Sequence, residues 1–367
     1  MNAIEFNVKL ARSLYLCLNL ILSVLYSYIT VKFISVYNFP IYIILFITTL
    51  IEFFILLDTS YFKIITGIKT KYLYYMLIVF SIVMFIFKSN INITYVLIFY
   101  FVYYLLITIV LLNYNLFVIE ESKSIKAGVT DISIYSNLSK LLGFSLGSYI
   151  YKVNIEEYLI VFIIVFILFS SLKINNFKNK TEKNSERLVF NDLKRKYIIV
   201  NTALLSGTAV FFIPMFIKQL ATRNLIQYSS IVFFIPGLTV VLFLIPTKKY
   251  EVDLNKILIS YIILDMVFFI FVICKVFLPL QVVLLSFIVA LGVSISIRLR
   301  TNFIKINNKE YRKSILQIFR ISAPLFTIVL SLIGLYLENI AYYILLINIL
   351  SAGHVLWVNV RKNKVIL

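Results

Sequence analysis

Glu52 stands inside a long apolar stretch, where an ionisable side chain is costly and therefore marks candidate function. Thr48 lies one turn before it and Thr59 seven residues after it, so the three residues share one face of a helix. A carboxylate buried among packed helices can take up and release a proton. Glu52 is thus a candidate proton carrier, and a fixed ion pair with Arg12 or another cation is the alternative.

The second acid in an apolar stretch is Asp265, with Tyr261 one turn away. We expect a second proton or cation site there, with pairing to one local partner as the alternative. Asp58 lies near the end of its stretch and is predicted to be interfacial. The single histidine, His354, lies near the end of the last stretch and is predicted to be structural.

Polar residues in the first apolar stretch follow one another at steps of seven, four, three and four, which places them on one helix face. They are Arg12, Asn19, Ser23, Tyr26 and Thr30. This face is predicted to line a cavity. The alternative is small polar residues that join helices, which suits Ser23 and Thr30 better than Arg12 and Asn19.

Enzymatic sites are not indicated by the sequence. The only histidine has no nucleophile at an informative spacing, and Cys17 and Cys274 form no metal-ligand pattern. Neither GxxxxGK[ST] nor GxGxxG occurs, so we expect no cofactor, no metal and no ATP-driven chemistry within the chain. A membrane transferase or polymerase is a remaining alternative, although its usual large external loop or His/Asp cluster is missing.

The elements that carry these residues follow from composition, since 62% of the 367 residues are hydrophobic and only 14% are charged. A soluble chain is nearer 45–50% apolar and about 25% charged. The apolar blocks are about 20 residues long, which predicts an all-α polytopic membrane protein with about twelve transmembrane helices. The first six are predicted near 13–35, 39–61, 72–88, 93–118, 129–151 and 155–172. The other six are predicted near 197–220, 225–246, 256–277, 279–299, 314–336 and 340–360.

Polar residues 173–196 divide these spans into two sets, which predicts an N-terminal six-helix bundle at 1–172 and a C-terminal one at 197–367. The net charge of +19 resides in short loops, Arg298 and Arg300 among them, and does not indicate nucleic acid. Alternate loops are basic, so both termini and the linker are predicted to be cytoplasmic. The expected location is the cell membrane, as in a bacterial plasma membrane.

An internal repeat relates the two halves. The fifth span contains Lys140 followed by Gly143, and the eleventh contains Arg320 followed by Ala323 and Pro324. In each, a cation precedes a small residue by three positions at an equivalent place, which supports two related bundles.

The chain resembles the major facilitator superfamily (MFS) over nearly its whole length, and its fifth span resembles that of the family's exporters. The residues that carry this second resemblance are Glu120, Glu121, Lys126, Asn137, Lys140, Gly143 and Gly147. The family's G-P-x-x-G-G-like motif reads Gly143-Phe-Ser-Leu-Gly147-Ser148, so its proline and last glycine are replaced. The loop after the second span keeps Gly67 and three lysines but lacks the usual aspartate, for which Asp58 is a possible substitute.

The resemblance implies that the first, fourth, seventh and tenth spans line a central cavity. It adds to the first-span residues the cavity candidates Tyr100, Tyr103, Tyr104, Asn201 and Gln281. Asp265, on the ninth span, would then be peripheral. Aromatic side chains among few charges suit a small amphiphilic or hydrophobic solute.

The function that the resemblance implies is proton-coupled efflux by an antiporter that alternates access between the two faces of the lipid bilayer, and we expect the protein to be a monomer. Glu52 would carry the proton, while Lys140 and Arg320 would hold each fifth helix against its neighbours. Two alternatives remain. One is a lipid-linked solute flippase, which would have a more basic central cavity, and the other is a non-transporting immunity or assembly partner.

Overall fold

A computed structural model describes most of the chain. The described residues are 3–35, 41–62, 64–65, 68–86, 93–122, 124–153, 163, 165, 167–168, 193–249, 253–306, 312–333 and 340–361. Within these ranges the secondary structure is helical, with turns and bends between helices and no strand.

Eleven α-helices are described in these ranges. The first five are α1 (Ala3–Ser35), α2 (Ile41–Leu57), α3 (Thr70–Ile86), α4 (Ile93–Glu121) and α5 (Ile125–Val153). The other six are α6 (Leu193–Thr222), α7 (Ser229–Lys249), α8 (Leu254–Ile273), α9 (Leu278–Ile306), α10 (Arg312–Ile333) and α11 (Ile340–Arg361). A π-helix, Asp58–Phe62, extends α2, and a 3₁₀ turn, Ile226–Tyr228, precedes α7.

These helices confirm the all-α polytopic membrane fold. Six of those described are long and apolar enough to cross a membrane, and two shorter apolar helices, 46–57 and 70–83, accompany them. Helices α1–α5 correspond to the first five predicted spans and α6–α11 to the seventh to twelfth. The sixth predicted span, 155–172, lies outside the described residues except for 163, 165, 167 and 168, which are helical.

The apolar core consists of two main clusters. One is built from residues between Ala11 and Ile167, and the other mainly from residues between Leu205 and Val355, with Ile119 and Val129 added from the first half. The predicted bundle boundaries stay a prediction, because 173–192 lie outside the described residues. The last four residues of the predicted linker, 193–196, begin α6.

Helices α1 and α5 pack closely because glycine removes the side chain at two points of contact. A Cβ added to Gly143 would lie 2.6 Å from the Cβ of Ser23, and one added to Gly147 would collide with the Ser27 hydroxyl and the Val24 carbonyl. Both glycines therefore set the distance between the two helices. The first and second halves meet where α2 and α4 pack on α10, and where α5 packs on α7 and α9.

One predicted helix end was wrong in a way that affects the site. Helix α9 continues to Ile306, whereas the tenth span was predicted to stop at 299. Arg298 and Arg300 therefore lie within a helix and not in a loop, and the half-buried side chain of Arg300 belongs to the interior of the chain. Positive charge near a span end had favoured the loop assignment.

Candidate functional site between the two halves

Glu52 lies at the point where α2, α4 and α10 meet. Its side chain is only 2% exposed. The carboxylate Oε1 accepts hydrogen bonds from the Tyr104 hydroxyl at 2.9 Å and from Arg320 Nε at 3.2 Å, and Arg320 Nη2 lies 3.1 Å away in an ion pair. Gln317 Nε2 donates both to the Glu52 backbone carbonyl at 3.0 Å and to the carboxylate Oε2. The buried carboxylate is therefore well satisfied.

Helical spacing explains how three helices supply this site. Gln317 and Arg320 are three residues apart on α10, and Tyr104 and Thr108 are four apart on α4, so each pair shares a face. Arg320 Nη2 also reaches the Thr108 hydroxyl, at 3.4 Å. One arginine of the second half thus joins two helices of the first. This is the ion pair with another cation that the sequence left open for Glu52.

Arg12 has a different partner from the one considered for it. Its Nη2 lies 2.5 Å from Oδ2 of Asp131, a buried residue of α5. Sequence analysis missed Asp131 because it stands near the start of its predicted span, where an acid reads as interfacial. The pair joins α1 to α5 within the first half.

The predicted polar face of α1 divides into two parts. Asn19 Nδ2 donates to the backbone carbonyl and hydroxyl of Ser136 on α5, at 3.1 and 3.2 Å, and the Ser23 hydroxyl donates to the Asn19 carbonyl at 2.7 Å. Thr30 is buried as well. The contacts of Asn19 and Ser23 favour the alternative in which these residues join helices.

Tyr26, further along the same helix, contacts an aromatic ring of α5. Its ring centroid lies 5.6 Å from that of Phe144 on α5, which in turn lies 5.0 Å from that of Phe233 on α7. Tyr26 and Phe144 are both partly exposed. A row of three aromatic rings therefore links the first half to the second, with the Phe233 ring buried.

The tyrosines of α4 have unequal positions. Tyr103 is fully buried, contacts the Ser81 hydroxyl of α3, and its ring lies 4.5 Å from that of Phe99. Tyr100 is buried too, with its ring 5.6 Å from that of Tyr104. Tyr104 alone of the three is partly exposed, and it contacts Glu52.

In the second half, two predicted cavity residues make interior contacts. Asn201 Oδ1 accepts a hydrogen bond from the Ser351 hydroxyl at 2.6 Å, which joins α6 to α11. Gln281 Nε2 donates to the Val276 carbonyl at 2.7 Å and closes the turn before α9. Both side chains are buried, so their contacts account for them without a solute.

Asp265 lies on the buried face of α8, together with Tyr261 and Phe268. Neither of its carboxylate oxygens has a hydrogen-bond partner among the described residues. Helix α8 packs on α9 and α11, away from α2, α4 and α10. The local partner considered as the alternative for Asp265 is therefore not found in the described part, and the second proton or cation site stays a prediction.

The motif that is repeated in α5 and α10 makes different contacts in the two halves. Gly143 and Gly147 allow α5 to approach α1, as described above. Lys140 is exposed, and Arg320 contacts helices of the opposite half. Pro324 lies within α10, and its side chain is outside the described part.

No cluster of three or more metal-ligating side chains occurs among the described residues.

Known proteins resemble this chain in structure but not in sequence. No protein-family model matches the chain, and no curated protein matches its sequence. Solved structures do match over nearly the whole chain. The human organic anion transporter MFSD10 (TETRAN) has a TM-score of 0.64 at 12% identity, covering 96% of this chain and 100% of its own.

Two further solved structures also match nearly the whole chain. The E. coli fucose:proton symporter FucP has a TM-score of 0.61 at 12% identity, with 99% of this chain and 100% of its own covered. A bacterial homologue of the iron transporter ferroportin, in an outward-facing state, has a TM-score of 0.62 at 12% identity, with 96% and 98% covered. The chain therefore has the fold of these transporters.

Proposed function

We propose that this protein is a secondary active transporter that works by alternating access. The observation that carries the proposal is the Glu52–Arg320 ion pair, which joins the two halves in a chain whose fold is that of solved transporters. Two bundles that rock around a central site must break and remake the contacts between them. A charge pair between bundles can supply one such contact.

Glu52 is proposed as the proton carrier. A proton on its carboxylate abolishes the attraction to Arg320 while leaving the Tyr104 and Gln317 contacts possible, so the link between α2 and α10 weakens. Loading the proton and separating the halves are then a single event. Such a device couples a proton gradient to movement without any nucleotide.

The solute is proposed to be small and amphiphilic or hydrophobic, bound beside Tyr26, Phe144 and Tyr104. These partly exposed rings offer apolar area with a polar edge. Export across the cell membrane, in antiport with protons, is the direction that the resemblance of the fifth span favours. The structures with the same fold are an organic anion transporter, a fucose:proton symporter and a homologue of an iron transporter. Their range supports transport, while the solute class proposed here rests on the site residues.

A lipid-linked solute flippase is the second candidate, because one observation favours it. Lys140 and Arg300 lie between the halves, and a basic central cavity is what a flippase for anionic headgroups needs. The two candidates differ in whether the solute carries a lipid.

The test uses everted membrane vesicles that contain the full chain. A panel of amphiphilic acids, bases and neutral compounds, with and without a lipid tail, is added while vesicle pH is followed. Transport predicts solute-dependent proton movement that stops when a protonophore dissipates the gradient. Solute binding that persists unchanged without any proton movement would contradict the proposal and support a non-transporting partner.

A further inference from the structure

Three cations lie near one another on three helices where the two halves meet. They are Lys140 on α5, Arg300 on α9 and Arg320 on α10. Arg300 and Arg320 are close enough for their charges to act on Lys140, and Arg320 also acts on Arg300. We call these three residues the cation cluster.

All three side chains of the cluster keep some solvent exposure. Lys140 is exposed, and the charges of Arg300 and Arg320, on two helices of the other half, act on it. Arg300 is partly exposed, with its guanidinium 5.6 Å from the centroid of the Phe319 ring. Arg320 retains 23% side-chain exposure.

The charges of the cluster are not balanced by the described residues. Glu52 neutralises Arg320, but neither Lys140 nor Arg300 has an ion pair there, and the buried Arg300 Nε has no hydrogen-bond partner. Like charges repel strongly away from bulk water, and unpaired donors in such a place are costly. A bound anion would satisfy the donors and remove the repulsion.

An apolar surface adjoins the cluster. Phe144 lies four residues after Lys140, hence on the same face of α5, and its ring contacts those of Tyr26 and Phe233. A molecule with its anionic group at Lys140 would therefore place an attached apolar body against aromatic rings.

Building on the proposed transport function, we propose that the cation cluster binds the anionic oxygen group, carboxylate or phosphate, of an amphiphilic solute. Arg300 and Lys140 are the residues that contact the anion. Arg320 is shared between the anion and Glu52.

This sharing fixes the sign of coupling. A proton on Glu52 releases Arg320 to the anion, and an anion on Arg320 leaves Glu52 free to take up a proton, so each binding event favours the other. An anionic solute then moves in the same direction as its proton. For such a solute the coupling is cotransport, which distinguishes it from the antiport proposed above for a solute without an anionic group.

The test uses a cysteine at position 144 to measure whether anionic reagents reach the region beside the cation cluster faster than cationic ones. It requires no transport. Cys17 and Cys274 are replaced by Ser, and Phe144→Cys is treated with sulfonatoethyl (anionic) or trimethylammonioethyl (cationic) methanethiosulfonate. Rates are normalised to the neutral methyl reagent, which also reports folding. Native Cys274, exposed after α8, is the reference site in a Cys17→Ser chain.

We expect the anionic-to-cationic rate ratio to be about tenfold higher at position 144 than at Cys274, because clefts of one charge concentrate the opposite ion. Lys140→Gln with Arg300→Gln lowers the ratio to within about twofold of the reference, while the exposed Lys152→Gln on the same helix as Lys140 leaves it unchanged. A ratio that does not respond to the two substitutions overturns the proposal.

Protection of the same cysteine identifies the anion. Sodium benzoate, inorganic phosphate and benzyl alcohol are added at equal ionic strength. Protection by benzoate assigns a carboxylate solute, and protection by phosphate assigns a phosphate group, as in a lipid-linked headgroup. If neither anion protects better than benzyl alcohol, the cluster is not an anion site. A chain that passes these tests yet moves no protons in vesicles binds anions without transporting them, so the two proposals fail separately.

Discussion

Arg320 of α10 and Glu52 of α2 lie 268 residues apart in sequence, and their side chains meet with Nη2 3.1 Å from Oε1. Each half of the chain therefore supplies one charge of a single buried pair. Gln317 and Tyr104 complete the carboxylate's hydrogen bonds. Because neither half can satisfy its charge alone, the pair is both a fold contact and the natural place for a switch.

Arg320→Gln is expected to destabilise the protein, because it leaves the Glu52 carboxylate buried without its cation. The loss for a fully buried pair is about 3–5 kcal/mol, and it is expected to be smaller here because Arg320 is 23% exposed. Thermal unfolding in detergent measures it, with the exposed Arg223→Gln as control. Adding Glu52→Gln to Arg320→Gln should recover much of the loss. An undiminished loss in the double variant would contradict the pair as its cause.

Gly147→Val should lower thermal stability, since a side chain there collides with Ser27 and the Val24 carbonyl of α1. Overpacking of this kind costs typically about 1–3 kcal/mol. Gly353→Val is the matched control in α11, where an added Cβ meets nothing within 4 Å. Equal melting temperatures for the two variants would show that α1 and α5 do not pack as closely as described.

Arg12 and Asp131 should be energetically coupled. Removing either charge alone leaves the other at a helix interface, so Arg12→Gln and Asp131→Asn each destabilise, while the double variant loses less than the sum. A double-mutant cycle on thermal stability gives the coupling, expected at about 0.5–3 kcal/mol. Strict additivity would mean that the two side chains do not interact.

The sequence predicted the fold well, because hydrocarbon thickness imposes a strong and local rule on span length. The sequence also singled out Glu52 as a candidate site residue, because an acid inside an apolar stretch is again visible from local sequence. It could not choose the partner of Glu52, because Arg320 is distant in sequence and only tertiary packing brings α10 to α2 and α4. Asp131 was missed for a different reason, because an acid near the start of a predicted span is expected to be interfacial.

The cation at 300 illustrates a different failure. The positive-inside rule correctly notes basic residues near span ends, but it cannot separate a loop arginine from one in the last turns of a long helix. Helix α9 extends past the predicted end, so Arg300 lies within the helix and its side chain is partly buried. For the α1 face, spacing established that Asn19 and Ser23 share a side of the helix, but it carries no information on what lies opposite.

Asp265→Asn should leave solute-dependent proton movement intact, because α8 packs away from the helices around Glu52. Stability should stay the same or rise, since the substitution removes a buried carboxylate that has no hydrogen-bond partner in the described part. Vesicle proton movement and thermal unfolding are measured on the same preparation. Loss of proton movement in a well-folded Asp265→Asn protein would contradict this prediction and would indicate that Asp265 carries the proton.

The most direct test of the account is Glu52→Gln in everted vesicles, with proton movement recorded as amphiphilic solutes are added. The exposed Glu121→Gln, at the end of α4, is the matched control. The account predicts that wild type and Glu121→Gln move protons with solute, whereas Glu52→Gln inserts and binds solute but moves none. Proton movement in Glu52→Gln equal to that of wild type would contradict the central claim that the Glu52–Arg320 pair is the proton-operated link between the two halves.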